Sequence, residues 1–214
     1  MTEIIFERKI AEEVLVEKVA TILRNGGIAV LPTDTIPGIG CRADDHDAVG
    51  RLFKLKERPE NLPIPVILAS KKDIENYVVK VPEAYYRLSE RYWPGALTIC
   101  LRSNGMIDRM VGGGLDTLGF RIPDYPFVRK IVSELGVPLA LTSANPHNVQ
   151  PSALHQRLLA WWKNEVEIII LGRSTAPRPA STVVDLTCDP HVILREGLLD
   201  IEELSSLMLG TGNA

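Results

Sequence analysis

The chain has few of the residues that would mark a metal centre, a disulfide scaffold or a membrane anchor. Its three cysteines, Cys41, Cys100 and Cys188, are odd in number and far apart, and none sits in a CxxC or a Cys/His pair at zinc-ligand spacing. They read as free thiols of a reducing compartment, with no protein metal site expected. No apolar run approaches the ~20 residues of a membrane helix. The N-terminal MTEIIFERKI carries acidic residues where a signal peptide would carry basic ones. A cytoplasmic protein without membrane contact is the expectation. Cations are not in excess either: 24 Lys+Arg stand against 27 Asp+Glu, a formal net charge of −3. That argues against generic affinity for nucleic acid but leaves room for a local basic patch.

The usual catalytic and nucleotide signatures are missing as well. There is no G-x-x-x-x-G-K-[ST] and no G-x-G-x-x-G after a strand, since GIGCRA lacks the third glycine. No G-x-S-x-G elbow supports a serine hydrolase. The four histidines sit in bland contexts: His46 in a first helical turn, His147 in a loop, His155 on a helix surface, His191 in a turn.

What is present is an alternation of short β-branched runs with amphipathic stretches. Residues 3–10 read as a strand and 11–24 as a helix, stopped by Gly26-Gly27. Residues 28–31 are a buried strand, and PTDTIPGIG a loop, because its prolines and glycines disfavour regular structure. Asp44 or Asp45 can cap a helix with Val49, Leu52, Phe53 and Leu55 inward, which Pro59 ends. Strands follow at 64–69, 96–101, 118–122, 139–142, 168–171, 182–186 and 192–194, with helices at 85–92, 127–135 and 153–163. Gly112-Gly113-Gly114 suits a mobile or tightly turned loop. Asp200 with Glu203 resembles a capping box for a last helix. Strands alternate with helices early and crowd together late, which predicts one α/β domain over 1–214 with helices packed on a mixed sheet.

The groups able to do chemistry fall at strand ends and in loops: Thr33, Thr35, Lys56, Arg58, Thr117, Arg121, Ser143, Asn145, Ser181 and Arg195. Small hydroxyls, an amide and several cations suit the binding of phosphates and a carboxylate. Taken singly each has an ordinary structural explanation; a lysine at a helix C-terminus, for example, interacts favourably with the macrodipole by ~0.3–1 kcal/mol. These residues point to a small anionic ligand without naming a reaction.

Six segments in order, LPTDTIPGIG, KLKERP, TLGFRIPDYP, LTSAN, STVVDLT and ILREG, resemble the YrdC family, spanning 28–197. The Lys-x-Arg and Ser-x-Asn pairs of that family are complete in Lys56, Arg58, Ser143 and Asn145. The resemblance implies a twisted open sheet with a large concave cavity, in the short, single-domain form. It implies L-threonylcarbamoyladenylate synthase activity: L-threonine, bicarbonate and ATP give threonylcarbamoyl-AMP and pyrophosphate. Mg²⁺ would arrive on the ATP, and partner proteins would transfer the threonylcarbamoyl group to an adenosine of tRNA. By the same analogy Thr35, Arg121 and Ser181 hold threonine, and Arg58, Thr117, Ser143, Asn145, Ser152 and Arg195 hold ATP. Lys56 and Arg58 are the catalytic cations.

Departures from the family pattern fall in four places, one of them Glu196, which stands where proline is typical after the arginine. Pro37 stands where an aromatic is usual, Ile67 where some members have histidine, and Pro146-His147-Asn148 where Leu-Ser-Gly is common. Pro37 is thus expected to reshape a pocket wall. Three other readings share the pattern in part: a YciO-like relative of different or weak activity, a double-stranded RNA-binding module, and the carbamoyl-adenylate chemistry of hydrogenase maturation proteins. Pyrophosphate release that depends on threonine separates the first and third from the synthase. A steep salt dependence of RNA binding marks the second.

Overall fold

In the central strands successive side chains go to opposite sides of one sheet, and the two sides differ in what covers them. The structure, a computed structural model, describes residues 1–173 and 179–210. The sheet comprises β1 (Glu3–Phe6), β2 (Ala29–Leu31), β3 (Gly38–Arg42), β4 (Val66–Ile67), β5 (Leu97–Arg102), β6 (Thr117–Arg121), β7 (Leu139–Ser143), β8 (Ile168–Leu171), β9 (Thr182–Asp185) and β10 (Val192–Arg195). Their order is β1-β8-β2-β3-β7-β4-β6-β5-β9-β10. Parallel pairs (β1·β8, β2·β8, β4·β6, β5·β9) mix with antiparallel ones (β2·β3, β3·β7, β4·β7, β5·β6, β9·β10), as expected from the pattern.

One side is fully packed. Val30, Ile39, Val66, Ile99, Leu118, Phe120 and Val184 meet α2 (His46–Leu55), α3 (Glu83–Tyr92), α5 (His155–Trp162) and α6 (Ile201–Leu209) in the larger core. The other side is packed over only half its width. There α1 (Glu12–Arg24) and α4 (Pro126–Leu135) cover Leu31, Leu139, Leu141, Ile168 and Ile170. On that side Thr98, Cys100, Gly119, Arg121, Ser181 and Val183 of the β4-to-β10 half line an open cleft. The fold thus leaves a rigid polar surface beside a packed one.

Several expectations shift in detail. Gly38 and Gly40 belong to β3 rather than to a loop, despite a composition that suggested otherwise. A side chain at Gly38 would lie 2.6 Å from Leu141, and one at Gly40 would run into the Ala140 carbonyl. Both glycines are there because β7 approaches so closely. The first strand stops at Phe6, where the chain tightens into a 3₁₀ turn that brings the Glu7 carboxylate to the Tyr125 hydroxyl at 2.7 Å. The strand at 64–69 shrinks to Val66–Ile67 because Pro63 and Pro65 cannot donate to a ladder. Asp45 caps α2 and Asp200 caps α6. Gly112–Gly114 is a tight turn, with φ of +64° and +80° at Gly113 and Gly114. All three cysteines are free, and burial raises Cys41 and Cys100 to about 12, so both stay as thiols.

Candidate active site

The C-terminus of α2 delivers the first two cations. Helix α2 ends in a Schellman turn: the Arg58 N–H donates to Phe53 O and the Glu57 N–H to Lys54 O, each at 3.0 Å. Glu57 occupies the left-handed position, φ +51°, where glycine is the usual residue. The reversal sends Lys56 inward and Arg58 along the cleft wall. Glu57→Gly is expected to stabilise the fold by roughly 0.5–1 kcal/mol, since the left-handed strain goes but the unfolded chain gains freedom. A urea midpoint that falls would show Glu57 to be held by something other than this turn.

Lys56 is buried and donates through Nζ to the Ser143 carbonyl. Among the described residues no carboxylate pairs with it. Burial, reinforced by the charge of Arg58, pulls its ammonium down to about 7. Arg58 is anchored by the Leu62 and Pro63 carbonyls at 3.1 and 2.8 Å. Gly113 packs against the Asn61–Pro63 backbone so tightly that a side chain would come within 2.7 Å of Asn61 O, which fixes those carbonyls. Burial lowers Arg58 from its ordinary value too.

Arg121, at the end of β6, is the best held of the cations. Its Nε donates to Gly95 O at 3.0 Å, Nη1 to Thr35 Oγ1 at 2.9 Å, and Nη2 to Asp34 Oδ1 at 2.7 Å. The Asp34 and Arg121 side chains are only 12% and 10% exposed. Three of five N–H groups are used, which leaves one on each terminal nitrogen for a ligand carboxylate. Burial pulls Arg121 below its usual value and Asp34 pulls it back. Asp34 and Thr98 were not singled out from sequence. An acidic residue in a Thr-rich loop and a threonine inside an apolar strand carry no distinctive signal.

Arg195 reaches the cleft because β10 is irregular. Ile193 pairs with Val184, but Arg195 pairs with Val183, so the register slips between them. A regular strand would set Arg195 opposite Thr182, which faces the core. The bulge sets it opposite Val183, which faces the cleft. There its Nε donates to Ser181 O at 3.0 Å and Nη2 to Ser181 Oγ at 3.1 Å. Desolvation, then the neighbouring charge of Arg121, lowers it from the arginine value. Ser181 Oγ also meets Thr98 Oγ1 at 2.9 Å.

The structure therefore brings Thr35, Arg58, Arg121, Ser143, Ser181 and Arg195 around one cleft of about 360 Å³. That is at the small end of ligand pockets, which run from about 300 to 1,000 Å³. Lys56 stands behind the Ser143 carbonyl. Thr117 shares the face of Gly119 and Arg121 by alternation, one step beyond the residues lining the cleft. Asn145 is buried, its Nδ2 donating to the Pro146 and Val149 carbonyls at 3.0 and 2.6 Å, while Oδ1 has no partner among the described residues. Ser152 accepts the Leu154 N–H at 3.2 Å in the turn before α5 and is not among the lining residues. Pro37 is also outside the cleft. Ile36 and Gly38 line it, whereas Pro37 turns to a neighbouring hollow of about 280 Å³ with Tyr125 and His155, and its carbonyl accepts the Ala144 N–H. Ile67 does line the cleft. A larger hollow of about 710 Å³, bounded by Asp44, Met106 and Asp116, holds none of the candidate residues.

Among the described residues three guanidiniums and several hydroxyls, with no carboxylate, line a cationic cleft on the uncovered face of a mixed sheet, an arrangement in an α/β protein that suits small anions. The chain belongs to the Sua5/YciO/YrdC family, described as "Telomere recombination", whose profile matches residues 21–197. It is 35% identical over 209 residues to the threonylcarbamoyl-AMP synthase of Pyrococcus abyssi, covering 97% of this chain and 61% of that protein. It is 32% identical over 158 residues to the threonylcarbamoyl-AMP synthase of Halorhodospira halophila, with 74% and 83% covered. The crystal structure of P. abyssi Sua5 complexed with L-threonine superposes with a TM-score of 0.89 at 32% identity, over 97% of this chain and 60% of that one. The chain thus spans about 60% of the length of the first of these relatives. Escherichia coli YciO shares the fold, with a TM-score of 0.84 at 24% identity. No helix among the described residues is long and apolar enough to cross a membrane.

Proposed function

We propose that this chain is an L-threonylcarbamoyladenylate synthase, a nucleotidyltransferase that joins L-threonine, bicarbonate and ATP into threonylcarbamoyl-AMP and pyrophosphate. The observation that carries the reading is the cleft itself. In a chain of net charge −3, Arg58, Arg121 and Arg195 converge on one hydroxyl-lined surface with Lys56 buried behind it. The resemblance to threonylcarbamoyl-AMP synthases, one of which is described in complex with L-threonine, supports the choice of substrates.

The chemistry asks for positioning more than for an enzymic nucleophile. The threonine amine takes up bicarbonate, losing water, to give a carbamate. A carbamate oxygen then attacks the α-phosphorus, and the bond to pyrophosphate breaks. In this reading Arg121, already fixed by Asp34 and Thr35, takes the threonine carboxylate with its two remaining N–H groups, and Ser181 contributes a hydroxyl. Arg58, Ser143, Asn145 and Arg195 hold ATP, with Thr117 and Ser152 at its periphery. The orphaned Asn145 Oδ1 suits an adenine amino group, a donor that would end its isolation. Lys56 supports the charge that builds on the phosphates and carbamate. Among the described residues no carboxylate lines the cleft, so Mg²⁺ would be held by the nucleotide phosphates. The product would pass to proteins that modify tRNA in the cytoplasm.

Pyrophosphate release from ATP is expected only with both L-threonine and bicarbonate present. Release with another amine, or none under any combination, would move the assignment to a family member of different chemistry.

A further inference from the structure

The deepest polar group of the cleft is one the proposed reaction does not yet use. Thr98 of β5 is 2% exposed, and among the described residues its hydroxyl has one partner, Ser181 Oγ at 2.9 Å. The parallel pairing of β5 with β9 places the two hydroxyls on the same side of the sheet. Ser181 Oγ is also held from the other side by Arg195 Nη2 at 3.1 Å.

Proton counting fixes the sense of this chain. Arginine only donates, so its bond to Ser181 uses one serine lone pair. Were Ser181 to donate to Thr98, the Thr98 proton would be buried with no acceptor, an arrangement that costs free energy. If Thr98 donates instead, both serine lone pairs are filled and the Ser181 proton has one place to go, the cleft. Thr98 thereby turns Ser181, a group that could accept or donate, into a donor aimed at an anionic ligand.

We propose that Thr98 is a positioning residue that acts through Ser181 to set the affinity for the amino-acid substrate. The assignment rests on the proposed function and adds to it which hydrogen-bonding sense the amino-acid half of the cleft presents. Thr98→Val keeps the shape of the side chain and loses the hydroxyl. Ser181 can then rotate, offer a lone pair in place of a proton, and repel a carboxylate.

The test combines steady-state kinetics on the whole chain with a double-mutant cycle. Thr98→Val should raise KM for L-threonine by roughly tenfold, the factor expected for one hydrogen bond. The KM for ATP and kcat should change little. Thr98→Ser, which keeps the hydroxyl, should stay near wild type. In a Ser181→Ala background Thr98→Val should add nothing, because the residue acts through Ser181. Equal rises in both KM values, equal losses in the Val and Ser variants, or full additivity with Ser181→Ala would overturn the assignment. Calorimetric titration of the wild-type chain with L-threonine separates this from the wider reading. Absence of binding there removes the proposed function and the Thr98 role together, whereas wild-type binding that Thr98→Val leaves intact removes only the latter.

Discussion

Lys56→Met is expected to abolish pyrophosphate release and to make the protein more stable. The ammonium is buried, has no carboxylate partner among the described residues, and lies near Arg58. A buried charge without a counter-ion is costly, and replacing it with an apolar chain of similar length should stabilise the fold by about 1–4 kcal/mol. The Ser143 carbonyl would not be orphaned, since the Asn145 N–H already donates to it at 2.9 Å. Turnover should fall by at least about 10²–10³-fold, the loss typical when a preorganised charge-stabilising group is removed. The pH dependence has a definite sign. Lys56 goes from an ordinary 10.5 in the unfolded chain to about 7 in the fold. Well below pH 7 it is charged in both states, and the burial cost is fully present. As pH rises from about 7 to 10.5 the unfolded chain binds more protons than the folded one, so wild-type stability rises. The advantage of Lys56→Met should therefore shrink over that window. Urea midpoints for both proteins across the range decide it, and a less stable variant or a widening gap would refute the account.

Arg121→Met should be the most damaging single change in the cleft. Arg121 ties together Asp34, Thr35 and Gly95 O, from the loop after β2 and the turn before β5. Breaking a buried ion pair from one side typically costs about 3–5 kcal/mol, and here the Asp34 carboxylate loses its Arg121 partner. Binding of L-threonine should be lost as well. Adding Asp34→Asn separates the two effects. The double variant should regain part of the stability, since the carboxylate that Arg121 neutralised has gone with it, but should still fail to bind. Recovery of binding in the double variant would show that Arg121 serves only to neutralise Asp34.

The contrast between these two cations shows what a sequence can and cannot carry. The Lys-x-Arg and Ser-x-Asn pairs were legible because motif spacing survives as text, and the strands as β-branched runs bounded by glycine and proline. Which cation would be paired and which left bare was not. Asp34 meets Arg121 across 87 residues, and Thr98 meets Ser181 across 83. Such partners are chosen by sheet order, which alternation does not encode. Arg195 is subtler still. Its side of the sheet depends on a slip of one residue, and the ILREG text offers no punctuation for it. The mistaken loop at Gly38–Gly40 has the same origin: composition reads glycine as flexibility, whereas here it marks close approach of another strand. The placement of Pro37 outside the cleft was equally hidden: its neighbours Ile36 and Gly38 line the cleft, while Pro37 lines the adjoining hollow.

Strand order also sets the sequence of events during synthesis. Strand β5 is flanked by β6, its near neighbour in the chain, and by β9, made some eighty residues later. A nascent chain extending only to β7 already holds Lys56, Arg58, Arg121 and Asp34, but β5 then stands at an open edge with Thr98 bare. The cations would gather before the strands that complete the cleft existed. Exposed edges of this kind invite pairing with other chains, so β9 and β10, once they emerge from the ribosome, both extend the binding surface and cover the β5 edge that endangers the partly made chain.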